Sequence, residues 1–241
     1  MNPAIKIVAH RARGFQHPEN SLPAIIAAYK SSVDEVEIDV RRCSDHTWVV
    51  HHSPFLPGFA PPFKLIKNTD STTAQGKQLV LLAEVLELSK SQLGDKRLRI
   101  EFKDSFFSGK LLEEIARSEL SEKVVVTAWS LPLLRQVHEQ FPRLQLCLSL
   151  VEGFSIKIWN QDISFLDSIC IVPTLSRMLP IEQFRLRNLS PDLYVVSHST
   201  EWGRRLLTAS WCSGVFTKDP MSLLHLRDSG LDQSSLADPS V

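Results

Sequence analysis

The sequence predicts an α/β fold, and three observations carry that prediction. Short β-rich runs recur along the chain, and the stretches between them place apolar residues at spacings of three and four. Strands that alternate with helices in this way build a parallel sheet. Eight such units within 241 residues argue closure into one (β/α)8 TIM-type barrel, for which about 250 residues is typical. The periodicity taken alone also admits an open doubly wound sheet.

The elements follow in order. The first strand is read at residues 5–9. Asn20-Ser21 can cap a helix running through Lys30, with Pro23 tolerated in its first turn. The second strand covers residues 35–40. A further run at 48–52 follows too closely for a helix, and Asp45-His46 suits a hairpin turn, so that run returns antiparallel or extends the loop. A helix at 83–89 sets Val85, Leu86 and Leu88 on one side, ahead of a strand at 97–102. Helix 111–120 precedes strand 124–128, and helix 131–140 precedes strand 145–150. Residues 152–167 carry little periodicity. Strand 169–172, helix 180–189, strand 194–197, helix 201–209 and strand 214–217 complete the series. The polar, Ser-rich stretch 228–241 reads as a disordered tail, leaving 1–227 as a single barrel domain.

Composition narrows the partners. The chain has 27 Lys and Arg against 27 Asp and Glu, so no bulk charge draws it to nucleic acid or to an anionic membrane. A hydrophobic content of 43% fills a substantial core and excludes disorder throughout. Cys43, Cys147, Cys170 and Cys212 are isolated from one another, which argues against a zinc ribbon or a dithiol redox site. The N-terminus lacks the pattern of a signal peptide, and no apolar run approaches the ~18 residues of a membrane span. The expectation is a cytoplasmic protein with reduced thiols.

The residues that could carry chemistry lie at strand ends. Glu37 and Asp39 are two apart on the second strand, so their side chains leave the same face. Glu101 and Lys103 repeat that arrangement at the end of the third. His10 and Arg11 follow the first strand, and His52 follows the run after the second. In a (β/α)8 barrel, functional groups gather at the carboxyl ends of the strands. Three converging carboxylates repel one another without a cation, and a hard divalent ion such as Mg²⁺ or Ca²⁺ prefers oxygen ligands of this kind. Such an ion suits cleavage of a phosphodiester.

These residues sit within a longer resemblance. Ala9-His10-Arg11-Ala12 followed by Pro18-Glu19-Asn20-Ser21-Leu22 resembles the opening of the glycerophosphodiester phosphodiesterases, Ala-His-Arg-Gly and then Pro-Glu-Asn-Thr-Leu. The match continues through Glu37-Ile38-Asp39-Val40 and Asp45 into Val49-Val50-His51-His52. It resumes at Ile100-Glu101-Phe102-Lys103 and at Gly214-Val215-Phe216-Thr217-Lys218-Asp219-Pro220, so it spans about residues 5–220. The resemblance implies a (β/α)8 barrel that hydrolyses a glycerophosphodiester to an alcohol and glycerol phosphate with one divalent cation. Glu37, Asp39 and Glu101 would be the metal ligands, and His10 and His52 the general acid and base. Arg11 and Lys103 would hold phosphate oxygens, and Trp129 would line the substrate pocket. Glu19 and Asn20 would touch substrate or metal, or else brace Arg11 and cap the following helix.

The departures from the pattern bear on substrate. Ala12 stands where Gly is usual, and Ser53 replaces the Asp that follows the histidine of the acid–base pair. The usual Arg-Thr-Thr stretch gives way to residues 54–63, and a late Trp-Thr-Val-Asn signature aligns with Val196-Ser197-His198-Ser199. His198 is a candidate for the pocket lining; His51 should pack away from the site, and His17, His46, His138 and His225 read as solvent groups. Phe55, Leu56, Phe59 and Phe63 form an apolar loop that either buries on the barrel rim or holds an acyl chain beside the site, with peripheral membrane contact. Two alternatives to small-diester hydrolysis therefore stand: a lysophospholipase D or phospholipase C type of activity, and a catalytically silent phosphate-ligand binding protein.

Overall fold

The structure, a computed structural model, describes residues 5–58, 63–104, 109–151, 161–173 and 191–229. The elements are β1 (Lys6–Ala9), α1 (Leu22–Lys30), β2 (Glu35–Arg42), β3 (Trp48–Val50), α2 (Ser71–Gln75), β4 (Val80–Leu81), α3 (Leu82–Gln92), β5 (Arg97–Phe102), α4 (Gly109–Arg117), β6 (Val124–Ala128), α5 (Leu131–Gln140), β7 (Gln145–Val151), β8 (Ser168–Val172), β9 (Asp192–Val196), α6 (Thr200–Leu206), β10 (Gly214–Thr217) and α7 (Pro220–Asp228). Among the described residues, β1, β2 and β5 through β10 are parallel neighbours in that order, and β1 pairs with both β10 and β2. The sheet therefore closes into the predicted eight-stranded barrel rather than an open doubly wound sheet. β3 returns antiparallel to β2, with Val40 opposite Val50, and β4 extends it.

Alternation along each strand decides what enters the lumen. On β2, Val36, Ile38 and Val40 join the layer between sheet and helices, together with Ala24, Ile25 and Ala28 of α1 and Leu82 and Val85 of α3. Each such fully buried Val, Leu or Ile contributes about 1.5–3 kcal/mol. Burying those three sends Glu35, Glu37 and Asp39 to the opposite face, into the barrel. The lumen is filled by Val8, Val125, Cys147, Cys170, Tyr194, Val196 and Phe216. Gly214 is required there, because a β-carbon would collide with the Tyr194 ring.

An ion pair plugs the amino-terminal end of the barrel. Arg99 and Glu35, both buried, pair with each other. Tyr194 Oη donates to Glu35 Oε1 at 2.8 Å, Arg99 Nη1 donates to Ser168 Oγ at 3.3 Å, and the guanidinium lies 3.9 Å from the Tyr194 ring centroid. At the other end, the segment between β2 and β4 carries a small core of its own, made by Cys43, Val49, Leu56, Ile66, Ala74 and Leu79.

The expected elements differ from these mainly at their ends. Strands 97–102, 124–128 and 214–217 and helix 131–140 coincide with β5, β6, β10 and α5. Ser21 alone caps α1, accepting from Ala24 N–H at 3.3 Å, because Asn20 is engaged elsewhere. The periodicity did not reveal α2, where Asp70 Oδ1 accepts from Thr73 N–H at 2.7 Å, nor α7, which Asp219 caps with Pro220 as its first residue. Asp228, the first residue of the expected tail, belongs to α7. Residues 230–241 of that tail, the expected helix at 180–189 and residues 152–160 lie outside the described residues.

Candidate active site

The carboxyl ends of β1, β2 and β5 bring the expected acids together. One oxygen from each of Glu37, Asp39 and Glu101 lies within 4.8 Å of the others, and all three residues are buried. Glu101 sits opposite Asp39 in the β2–β5 register, which is why adjacent strands deliver them to one point. Burial, reinforced by Asp39 and Glu101, pushes the Glu37 carboxyl well above its ordinary range. For Asp39, burial acts upward, but Lys103, Asn20 and Arg11 outweigh it and hold the group low. Lys103 Nζ lies 2.9 Å from Asp39 Oδ1 and 2.7 Å from Glu101 Oε1, and Trp129 Nε1–H donates to Glu101.

β1 runs into a short turn, His10–Ala12, that presents its side chains to these acids. Arg11 N–H donates to Glu37 Oε2 at 2.7 Å, His10 Nε2 stands 3.7 Å from the same oxygen, and Arg11 Nε is 3.3 Å from Asp39 Oδ2. Burial and then Arg11 press His10 down to about 3. Arg11 and Ala12 have φ of 59° and 52°, the left-handed region. Ala12 adopts that conformation under strain, which Gly would escape.

Asn20 and Glu19 also reach this cluster. Asn20 Nδ2 donates to Asp39 Oδ2 at 2.9 Å, and Glu19 Oε1 is 3.5 Å from Arg11 Nη1. His52 is half-buried; burial lowers it, with Asp39 acting upward and Arg11 and Lys103 downward. His51 is lowered by burial and by Arg41, with Glu19 and Asp39 acting upward. His198 Nε2 lies 2.9 Å from the Pro173 carbonyl oxygen and its ring stacks on Trp202, so it bridges the ends of β8 and β9.

The donor set fits a hard divalent ion. Glu37 Oε1 is buried without a hydrogen-bond partner, and an oxygen-only cluster of three carboxylates is what such an ion selects. Sequence reasoning missed Arg41, which donates to the His52 carbonyl oxygen at 2.9 Å, and its partner Asp104, whose Oδ1 accepts from Arg41 Nη1 at 3.0 Å. Arg41 extends the Glu37, Asp39 alternation by one more step, and that was the available signal. In the loop after His52, Leu56 is buried, whereas Phe55 and Phe63 are 41% and 56% exposed with ring centroids 5.0 Å apart. The expected burial of those two rings on the barrel rim is therefore not observed, and Phe59 lies outside the described residues.

Three carboxylates compatible with a shared cation, with Arg11 and Lys103 beside them on a (β/α)8 barrel, fit one class: a phosphoric diester hydrolase. The model of the glycerophosphoryl diester phosphodiesterase family matches residues 10–212, and the chain belongs to that family. A glycerophosphodiester phosphodiesterase of Caldanaerobacter subterraneus subsp. tengcongensis is 24% identical over 242 residues, covering 91% of this chain and 96% of that one. The crystal structure of the Thermotoga maritima glycerophosphodiester phosphodiesterase superposes with a TM-score of 0.70 at 19% identity, covering 94% of this chain and 100% of that one. An Oleispira antarctica phosphodiesterase, solved with the product sn-glycerol-3-phosphate, also gives 0.70 at 19% identity, with 93% and 97% covered. No helix among the described residues is long and apolar enough to cross a membrane.

Proposed function

We propose that this chain hydrolyses a glycerophosphodiester to an alcohol and glycerol phosphate, with Glu37, Asp39 and Glu101 holding one Mg²⁺ or Ca²⁺. The observation that carries the reading is the convergence of one oxygen from each of those three carboxylates within 4.8 Å, with Glu37 Oε1 buried and unpartnered. The ion, when bound, polarises a phosphoryl oxygen and neutralises charge that develops on the diester. Arg11 and Lys103 stand beside the acids as cations for the remaining phosphate oxygens, and Trp129 offers an exposed ring at the pocket edge. His10 and His52 form the acid–base pair, one taking a proton from the attacking water and the other giving one to the departing alkoxide. The product bound to the Oleispira antarctica protein supports the same substrate class. Four free, buried cysteines suit a reducing, cytoplasmic location.

The test is turnover of a glycerophosphodiester panel with EDTA and with Mg²⁺ or Ca²⁺ restored, read beside thermal unfolding. Activity should vanish with EDTA and return with the ion, and the ion should raise the melting temperature of wild type but not of Glu37→Gln. Undiminished turnover in EDTA, or an equal thermal shift in the variant, would overturn the metal assignment.

A second reading, a lysophospholipid as substrate, is favoured by one observation. The exposed Phe55–Phe63 pair stands in the loop that leaves His52 and offers apolar surface to an acyl chain.

A further inference from the structure

We propose that Arg41 and Asp104 form a clamp that positions His52; the proposal rests on the role assigned to His52 above. The bonds run through one guanidinium. Arg41 Nε–H donates to the His52 carbonyl oxygen at 2.9 Å, and Nη1 donates to Asp104 Oδ1 at 3.0 Å. Asp104 Oδ2 accepts from Arg42 N–H at 2.9 Å. The fork thus ties the His52 peptide to the end of β2 and to the residue after Lys103. Arg41 and Asp104 are 15% and 27% exposed, so the pair is partly dehydrated and less screened than a surface pair.

The local chain explains why His52 needs an external hold. β3 ends at Val50, and the last bond tying the segment back to β2 runs from His51 N–H to the Asp39 carbonyl, 2.9 Å. Pro54 follows two residues after His52 and cannot donate a backbone bond. Ser53 Oγ accepts from Phe55 N–H at 3.1 Å. Arg41 and Asp104 act on the backbone of His52 rather than on its ring. Arg is suited to that task, since its planar fork serves two acceptors at once. A displacement of ~1 Å at a reacting group can cost on the order of 10²-fold in rate, so holding the peptide has kinetic consequences.

The experiment is a double-mutant cycle on glycerophosphocholine turnover at saturating divalent ion. Arg41→Met should lower kcat by ~10–100-fold, with KM and the ion concentration for half-activity unchanged. Arg41→Lys should recover part of the loss, because an ammonium cannot reproduce the fork. In a His52→Ala background, Arg41→Met should add little, since the residue it positions is gone. Asp104→Asn should repeat the cycle with a smaller loss, and it carries the test if Arg41→Met fails to fold. An equal further loss in the His52→Ala background would make the pair merely structural and overturn the clamp. Full kcat in both folded single variants would overturn it too. Full activity of His52→Ala itself would instead remove the acid–base assignment, and the clamp with it.

Discussion

Asn20 and Asp39 hold each other by two reciprocal hydrogen bonds. Asn20 Nδ2–H donates to Asp39 Oδ2 at 2.9 Å, and Asp39 N–H donates to Asn20 Oδ1 at 3.1 Å. Asn20 N–H also donates to the Arg11 carbonyl at 2.9 Å, so one buried residue joins the β1 turn, through its backbone, to the acid cluster, through its side chain. Its φ of 56° lies in the left-handed region, which Asn tolerates better than most residues. Fixing a carboxylate's second oxygen fixes the direction of its first. Asn20→Ala is therefore expected to weaken divalent-ion affinity by ~10–100-fold, read as the midpoint of activation by Mg²⁺ or Ca²⁺. An unchanged midpoint in a folded variant would reduce Asn20 to a loop-shaping residue.

Ala12 makes a second prediction, on stability. At φ 52° its Cβ crowds the backbone, and its methyl group is buried. An L-residue there costs roughly 1–2 kcal/mol that Gly escapes, partly offset by the entropy Gly loses on folding. Ala12→Gly should raise stability by up to ~1 kcal/mol, visible as a higher urea midpoint at an unchanged slope. A lower midpoint would mean that the lost methyl contacts outweigh the relieved backbone.

Much of this architecture was legible because its signal is local. β2 could be read from Val36, Ile38 and Val40 alternating with Glu37 and Asp39, and the same alternation placed the two acids in the lumen. α2 was hidden because Ser71–Gln75 has almost no apolar period and depends on the Asp70 cap. Asn20 looked like a helix cap because the cap rule sees only sequence neighbours, whereas its partner Asp39 is 19 residues away. The Arg41–Asp104 pair spans 63 residues, and the alternation that marks Arg41 says nothing of its partner. Contacts of that range come from the pairing of β2 with β5, not from propensity.

The ion pair at the barrel's base predicts an acid-sensitive contribution. Burial alone would raise Glu35, but Arg99, the hydrogen bond from Tyr194 and Lys6 outweigh it, so the carboxyl titrates below its ordinary value of 4.5. A depressed folded-state value means stability that is present above the unfolded value of about 4.5 and is lost as pH falls through the lower, folded one. Glu35→Gln leaves Arg99 buried without its counter-charge, which should cost ~3–5 kcal/mol near pH 7. That penalty should shrink as pH falls from 4.5 through the lower folded value, where wild type loses the same charge. Urea unfolding of both proteins across this window tests the point, and a penalty independent of pH would refute it.

The last prediction concerns substrate choice. Phe55 and Phe63 face each other at 5.0 Å with rings inclined at 43°, while Leu56 between them in sequence is buried in the small core. That core holds Leu56 next to Phe55, and the two rings form an exposed apolar ledge. Covering apolar surface yields about 0.8 kcal/mol per methylene, so contact with roughly two methylenes supplies a tenfold preference. Glycerophosphocholine has no acyl chain to offer, whereas lysophosphatidylcholine has one attached to the same phosphodiester. A Phe55→Ser, Phe63→Ser double variant replaces side chains that are already solvent-facing, so the fold should survive. It should lose kcat/KM on lysophosphatidylcholine by ~10-fold or more while keeping its rate on glycerophosphocholine. If wild type prefers the small diester, and the double substitution leaves both rates unchanged, the ledge has no part in substrate choice and the lysophospholipid reading falls.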